Sequence, residues 1–99
     1  MDVNFSSAAL AELCNSEHRL AGRWGRQVGR AVARRLLDLA AADPAAVCRL
    51  PGAGVSTSGT GETTITFGQE IVIRGVIGDP GGAGRILITS VHVNGSEQP

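Results

Sequence analysis

The chain contains no lysine and no tyrosine. Its nine basic side chains are therefore all arginine, and any chemistry that needs a phenol is excluded. Aromatic residues make up 3% of the chain, as one tryptophan and two phenylalanines, so a core has to be assembled from Val, Ile, Leu and Ala. The two cysteines, Cys14 and Cys48, lie far apart and lack C-x-x-C spacing, which argues against both a zinc site and a redox motif. Reduced, buried thiols are expected, since disulfides are sparse in cytosolic chains. No apolar run approaches the length of a membrane span. The opening "MDVNFSSAAL" has no basic segment followed by an apolar one, so a cytoplasmic location is expected. The formal net charge is +0, so any attraction to polyanions must come from local clustering.

What remains is sufficient for one domain spanning residues 1–99. Its 42% hydrophobic content can form a small core without covalent staples. "DVNF" alternates polar and apolar residues and predicts a strand over residues 1–5, followed by "SS" as a helix cap. A helix pair is expected over residues 6–42. The first helix carries Leu10, Leu13 and Cys14 at helical spacing and ends at Asn15. The second starts near Ser16 and runs unbroken to Ala42, where Asp43-Pro44 forbids continuation.

Beyond "PAAVCRL" the chemistry changes to Gly, Thr, Val and Ile. "GVSTS", "ETTITF", "EIVIRGVI" and "RILITSVHV" predict a sheet over residues 53–93, with Gly68-Gln69 as a type II′ hairpin pair. "GDPGGAGR" has neither the lysine nor the strand-to-helix context of a phosphate loop and is expected to be a mobile connector, and residues 94–99 a loose tail. The sum is an α+β arrangement: an N-terminal strand and a two-helix hairpin packed on a twisted antiparallel sheet.

Six of the nine arginines fall between Arg19 and Arg35, with no acidic residue between Glu17 and Asp38. At about 100° per residue, Arg19, Arg23, Arg26, Arg30 and Arg34 occupy an arc of about 80°, a continuous ridge on an unbroken helix. The opposite face holds Leu20, Trp24, Val28, Val32, Leu36 and Leu39, which makes Trp24 a core residue. Arg35 projects to the apolar side as a snorkelling or paired arginine. Gly22, Gly25 and Gly29 each cost about 1 kcal/mol against alanine in a helix, so they call for a close backbone approach, expected from the first helix. The ridge is either a solvated face or a grip for a polyanion or an acidic protein. Arg74, isolated among β-branched residues, needs a partner: Glu62, Glu70 or a phosphate. His18, beside Glu17, reads as a surface residue, and Arg85, at the exit of the loop, as an exposed side chain able to touch RNA.

"LCNSE" at residues 13–17, the basic helix after it, and "RLPG" at residues 49–52 together resemble bacterial toxins of the RelE/ParE superfamily, above all the HigB-like killer branch. The likeness runs from "VNFSSAAL" to "SVHV", nearly the whole chain. It implies a RelE-like fold and a type II toxin-antitoxin toxin: a ribosome-dependent mRNA endonuclease (mRNA interferase) that needs no metal or other cofactor and inhibits translation and growth. The implied partners are a cognate antitoxin, with which it can form a hetero-oligomer, and the ribosome with its mRNA; no membrane is involved.

In such toxins the ribose 2′-hydroxyl attacks the adjacent phosphate, which calls for proton transfer and positive charge at the phosphorane. The resemblance assigns Arg74 to the scissile phosphate and His92 to proton transfer. Strand parity adds Ser90 as a helper. The arginines Arg19, Arg23, Arg26, Arg30, Arg34 and Arg85 would contact RNA. Ser90 and Val91 stand where the family pattern has aspartate and tyrosine before the histidine, and Ser56 stands where many relatives have histidine. The superfamily's other branch binds and inhibits DNA gyrase without nuclease residues. That function, or a catalytically inactive relative that binds only its antitoxin, is the alternative.

Overall fold

Ser7 and Ser16 each set the start of a helix. Their hydroxyls accept the amide N–H of Leu10 at 3.1 Å and of Arg19 at 3.2 Å, satisfying amides that the first helical turn leaves free. In a computed structural model, which describes residues 1–68, 70–78 and 84–93, the order is β1 (Asp2–Phe5), α1 (Ala8–Cys14), α2 (Glu17–Trp24), α3 (Arg26–Ala41), a 3-10 turn at Val47–Arg49, then β2 (Ala53–Thr57), β3 (Glu62–Phe67), β4 (Ile71–Gly78) and β5 (Arg85–Val93). The architecture is α+β, with three helices and one five-stranded sheet. Among the described residues no helix is long and apolar enough to cross a membrane.

The helical region differs from the expected pair. The long second helix breaks at Gly25, whose φ of 89° lies in a region that side chains with a Cβ disfavour. α3 then folds back on α2, bringing Arg30 Nε within 3.7 Å of Glu17 Oε1. The close approach expected between the first two helices occurs here instead, and at Gly29 alone. A Cβ on Gly29 would lie 2.7 Å from the Ala21 nitrogen, whereas at Gly22 and Gly25 it would meet nothing within 4 Å.

The sheet order is β1-β5-β4-β3-β2. β2 through β5 form an antiparallel meander, but β1 lies parallel to β5, so the sheet is mixed and not wholly antiparallel. A parallel neighbour requires a long crossover, and everything between β1 and β5 supplies it. β3 and β4 pair from Phe67↔Ile71 outward, which leaves a three-residue turn where the two-residue hairpin was expected. Gly68 takes φ 62° in that turn. Gln69 itself, residues 79–83 of the glycine-rich connector and the tail at 94–99 lie outside the described residues.

One sheet face carries Ile65, Phe67, Ile71, Ile73, Ile86 and Ile88, all buried against Leu20, Val32, Leu36 and Leu39 of the helices. Burying each such side chain contributes roughly 1.5–3 kcal/mol, which compensates for the near absence of aromatics. Arg35 pins the turn after the 3-10 segment to α3. Its Nη1 donates to Asp38 Oδ2 and to the Pro51 carbonyl, each at 3.3 Å, and its guanidinium lies 5.0 Å from the centre of the Phe67 ring. Both cysteines are free. Cys14 is buried, but Cys48 is exposed, against the expectation of two buried thiols.

Candidate functional site

Directly opposed residues in a sheet point to the same face, so the register shows what the uncovered face presents. One cross-strand row reads Ser56, Thr64, Arg74, Ser90, and the next Gly54, Thr66, Val72, His92. All three residues expected at a catalytic centre, Arg74, Ser90 and His92, therefore share this face. Arg74 faces Ser90 directly, and His92 sits one rung along, about 7–8 Å away on the diagonal. Arg74 and His92 are exposed and Ser90 is half-buried.

A single irregularity makes this arrangement. Strict alternation from Ile86 and Ile88, both core residues, would turn Ser90 and His92 inward. Instead, Gly75 pairs with Ile88 while Arg74 pairs with Ser90, which leaves Thr89 as the extra residue of a β-bulge. Past the bulge the apolar phase shifts by one, so Val91 and Val93 face the helices and Ser90 and His92 face outward. Gly75 permits the approach, since a Cβ there would lie 2.6 Å from the Leu87 carbonyl oxygen. Thr89 Oγ1 donates to the Arg74 carbonyl at 3.2 Å and lies 3.5 Å from Glu62 Oε2.

Neither Glu62 nor Glu70 forms an ion pair with Arg74. Among the described residues the Arg74 guanidinium has no ion-pair partner. Its row also contains Ser56, Thr64 and Ser90, three hydroxyls that can donate to an anion held there. Thr64 and Thr66 were not singled out from the sequence, although the alternation of "ETTITF" places them on the polar side of β3. Among the described residues no three His, Cys, Asp or Glu side chains come together as metal ligands would.

The arginines on the helices do not form one ridge. The break at Gly25 puts Arg19 and Arg23 on α2, and Arg26, Arg30 and Arg34 on α3. All five are exposed. Arg19 lies 3.8 Å from Glu12, Arg30 3.7 Å from Glu17 and Arg34 4.0 Å from Asp38, solvated pairs of small energetic weight. Arg23 and Arg26 flank the Gly25 turn, with the Arg23 guanidinium 5.6 Å from the Trp24 ring centre. Arg85 opens β5, opposite Asp2, at the far end of the strand from His92, so the structure does not bring it to the site. Trp24 packs on the core as expected, but it is only half-buried and lines a surface cleft. His18 is exposed, as expected.

These features define an α+β protein with helices over one sheet face and, on the other, an arginine, a histidine and several hydroxyls. No family model, curated protein or solved structure matches the chain.

Proposed function

We propose that this chain is the toxin of a type II toxin-antitoxin pair, resembling the HigB-like branch of the RelE/ParE superfamily, and that it cleaves mRNA on the ribosome. The observation that carries this reading is an exposed Arg74 guanidinium with no carboxylate partner among the described residues, set on an open sheet face beside Ser90 and His92. The planar guanidinium of an arginine can grip two oxygens of a phosphate through parallel hydrogen bonds.

In the reaction, the ribose 2′-hydroxyl loses its proton and its oxygen bonds to the adjacent phosphorus. The bond from phosphorus to the 5′-oxygen breaks, and that oxygen takes up a proton. The products are a 2′,3′-cyclic phosphate and a 5′-hydroxyl. Arg74 neutralises charge on the phosphorane, Ser90 donates a hydrogen bond to a non-bridging oxygen, and His92 transfers the proton. The arginines around the Gly25 turn contact RNA phosphates. A cognate antitoxin holds the toxin inactive in the cytoplasm until it is released.

The test is to express the chain in bacteria and map messenger 5′ ends during growth arrest, for wild type, Arg74→Ala and His92→Ala. Cuts at fixed codon positions in wild type, lost in both variants, are expected. Arrest without new ends overturns the nuclease reading, and if it comes with DNA damage it points to inhibition of gyrase.

A further inference from the structure

β1 pairs with β5 only as far as Phe5↔Ile88. The Ser6 amide then donates to the Ile88 carbonyl, and the chain turns away into α1. β5 runs on to Val93, so its last five residues pass beyond the end of β1. The space beside them is a cleft of about 320 Å³, walled by Leu10 and Leu13 of α1, Arg23 and Trp24 at the end of α2, and residues 89–92 of β5. We infer that this cleft binds one unstacked base of single-stranded RNA, with Trp24 as the stacking surface. The inference rests on the reading above and assigns to its site a binding pocket next to His92.

Three properties of the cleft select such a ligand. Its volume lies at the small end of ligand pockets and is enough for a single heterocycle. Among the described residues its lining combines leucines and a half-buried indole with hydroxyls, one arginine and one histidine, and includes no carboxylate. A slot that sets an indole among leucines and hydroxyls matches a heterocyclic base, and aromatic rings take any base because every base offers a flat π face. Finally, Ser90 and His92 belong both to the cleft wall and to the rows around Arg74. A nucleotide seated in the cleft therefore meets two of the side chains, Ser90 and His92, that also belong to those rows. Splaying one base out of its stack is the usual route to sequence-sensitive contact with RNA.

Trp24 is the only tryptophan, so its fluorescence reports on the cleft directly. The full chain is titrated at low ionic strength with a mixed-sequence RNA hexamer, with the matching RNA duplex and with poly-glutamate, and affinity for a dye-labelled hexamer is measured by anisotropy. Saturable quenching by the single strand, exceeding that by the duplex or poly-glutamate, is expected. Trp24→Leu should weaken hexamer binding about five- to a hundredfold with the salt dependence unchanged, and Trp24→Phe should keep it within about threefold.

Equal quenching by duplex or by poly-glutamate, the latter marking an acidic protein as the occupant, overturns the inference, as does an unchanged affinity in Trp24→Leu. The wild-type titration and Trp24→Phe decide the matter if the leucine variant does not fold. If quenching is as expected but cells show no messenger cuts, the nuclease reading fails and the pocket stands. Cuts without single-strand quenching sink the pocket alone.

Discussion

Arg74 and Ser90 stand opposite each other on β4 and β5, and one residue further along β4, at Gly75, the partner has already slipped to Ile88. The cross-strand pair and the bulge beside it bring the candidate chemistry to solvent without disturbing the isoleucine core. Because Arg74 and His92 are exposed, neither contributes much packing. Arg74→Ala and His92→Ala should each shift stability by no more than about 0.5 kcal/mol in urea melts while abolishing messenger cleavage. Arg74→Lys should also lose most cleavage, since an ammonium cannot grip a phosphate through two parallel hydrogen bonds. Parallel melts and 5′-end mapping separate a loss of chemistry from a loss of fold.

Gly75 tests the bulge. A methyl group there would press on the Leu87 carbonyl at 2.6 Å and on Ile86 Cγ1 at 3.1 Å. Gly75→Ala should cost about 1–3 kcal/mol, as overpacking does, and should lower cleavage although the residue bears no reactive group. Urea denaturation midpoints give the first quantity. A variant with wild-type stability would show that the strands can part there at no cost.

Gly22 and Gly29 separate helix propensity from packing. Gly29→Ala drives a Cβ against backbone atoms of Leu20 and Ala21 at 2.7–2.9 Å. Its expected cost of about 1–3 kcal/mol outweighs the gain of about 1 kcal/mol in helix propensity. Gly22→Ala meets open space and should stabilise the chain by about 0.5–1 kcal/mol. Opposite shifts in melting temperature are the expected pattern, and shifts of the same sign would contradict the close α2–α3 contact.

Burial raises the Cys14 thiol from its ordinary value of 9.0 to about 11. The folded chain thus holds this proton more tightly than the unfolded chain does. The associated stability is complete below pH 9, declines as pH rises from about 9 to 11, and is gone above that window, a loss on the order of 3 kcal/mol. No lysine or tyrosine titrates in the same range to obscure it. Urea melts across pH 8–11 should show this slope in wild type and a shallower one in Cys14→Ala. At neutral pH an alkylating reagent should modify exposed Cys48 well before Cys14.

The local elements were legible in the sequence because their signals are local. Ser7 and Ser16 cap helices wherever those helices end up, and alternation in "ETTITF" sorts a polar side from an apolar one without knowledge of the partner strand. Even the bulge left a trace, since Ile86 and Ile88 are out of phase with Val91 and Val93 by one residue. The parity of Ser90 with His92 was correct for the same reason.

Contacts between distant residues have no such local signature, and there only the folded chain decided. A helical wheel assumes one continuous axis, so it merged five arginines into a ridge that the turn at Gly25 divides between two helices. The parallel seat of β1 on β5, the close contact at Gly29 and the absence, among the described residues, of a carboxylate on Arg74 each depend on which segments meet in space. Residue types and their periodicity determined what each segment could become. The packing of those segments determined which side chains became neighbours, because a contact energy exists only once both partners are in place.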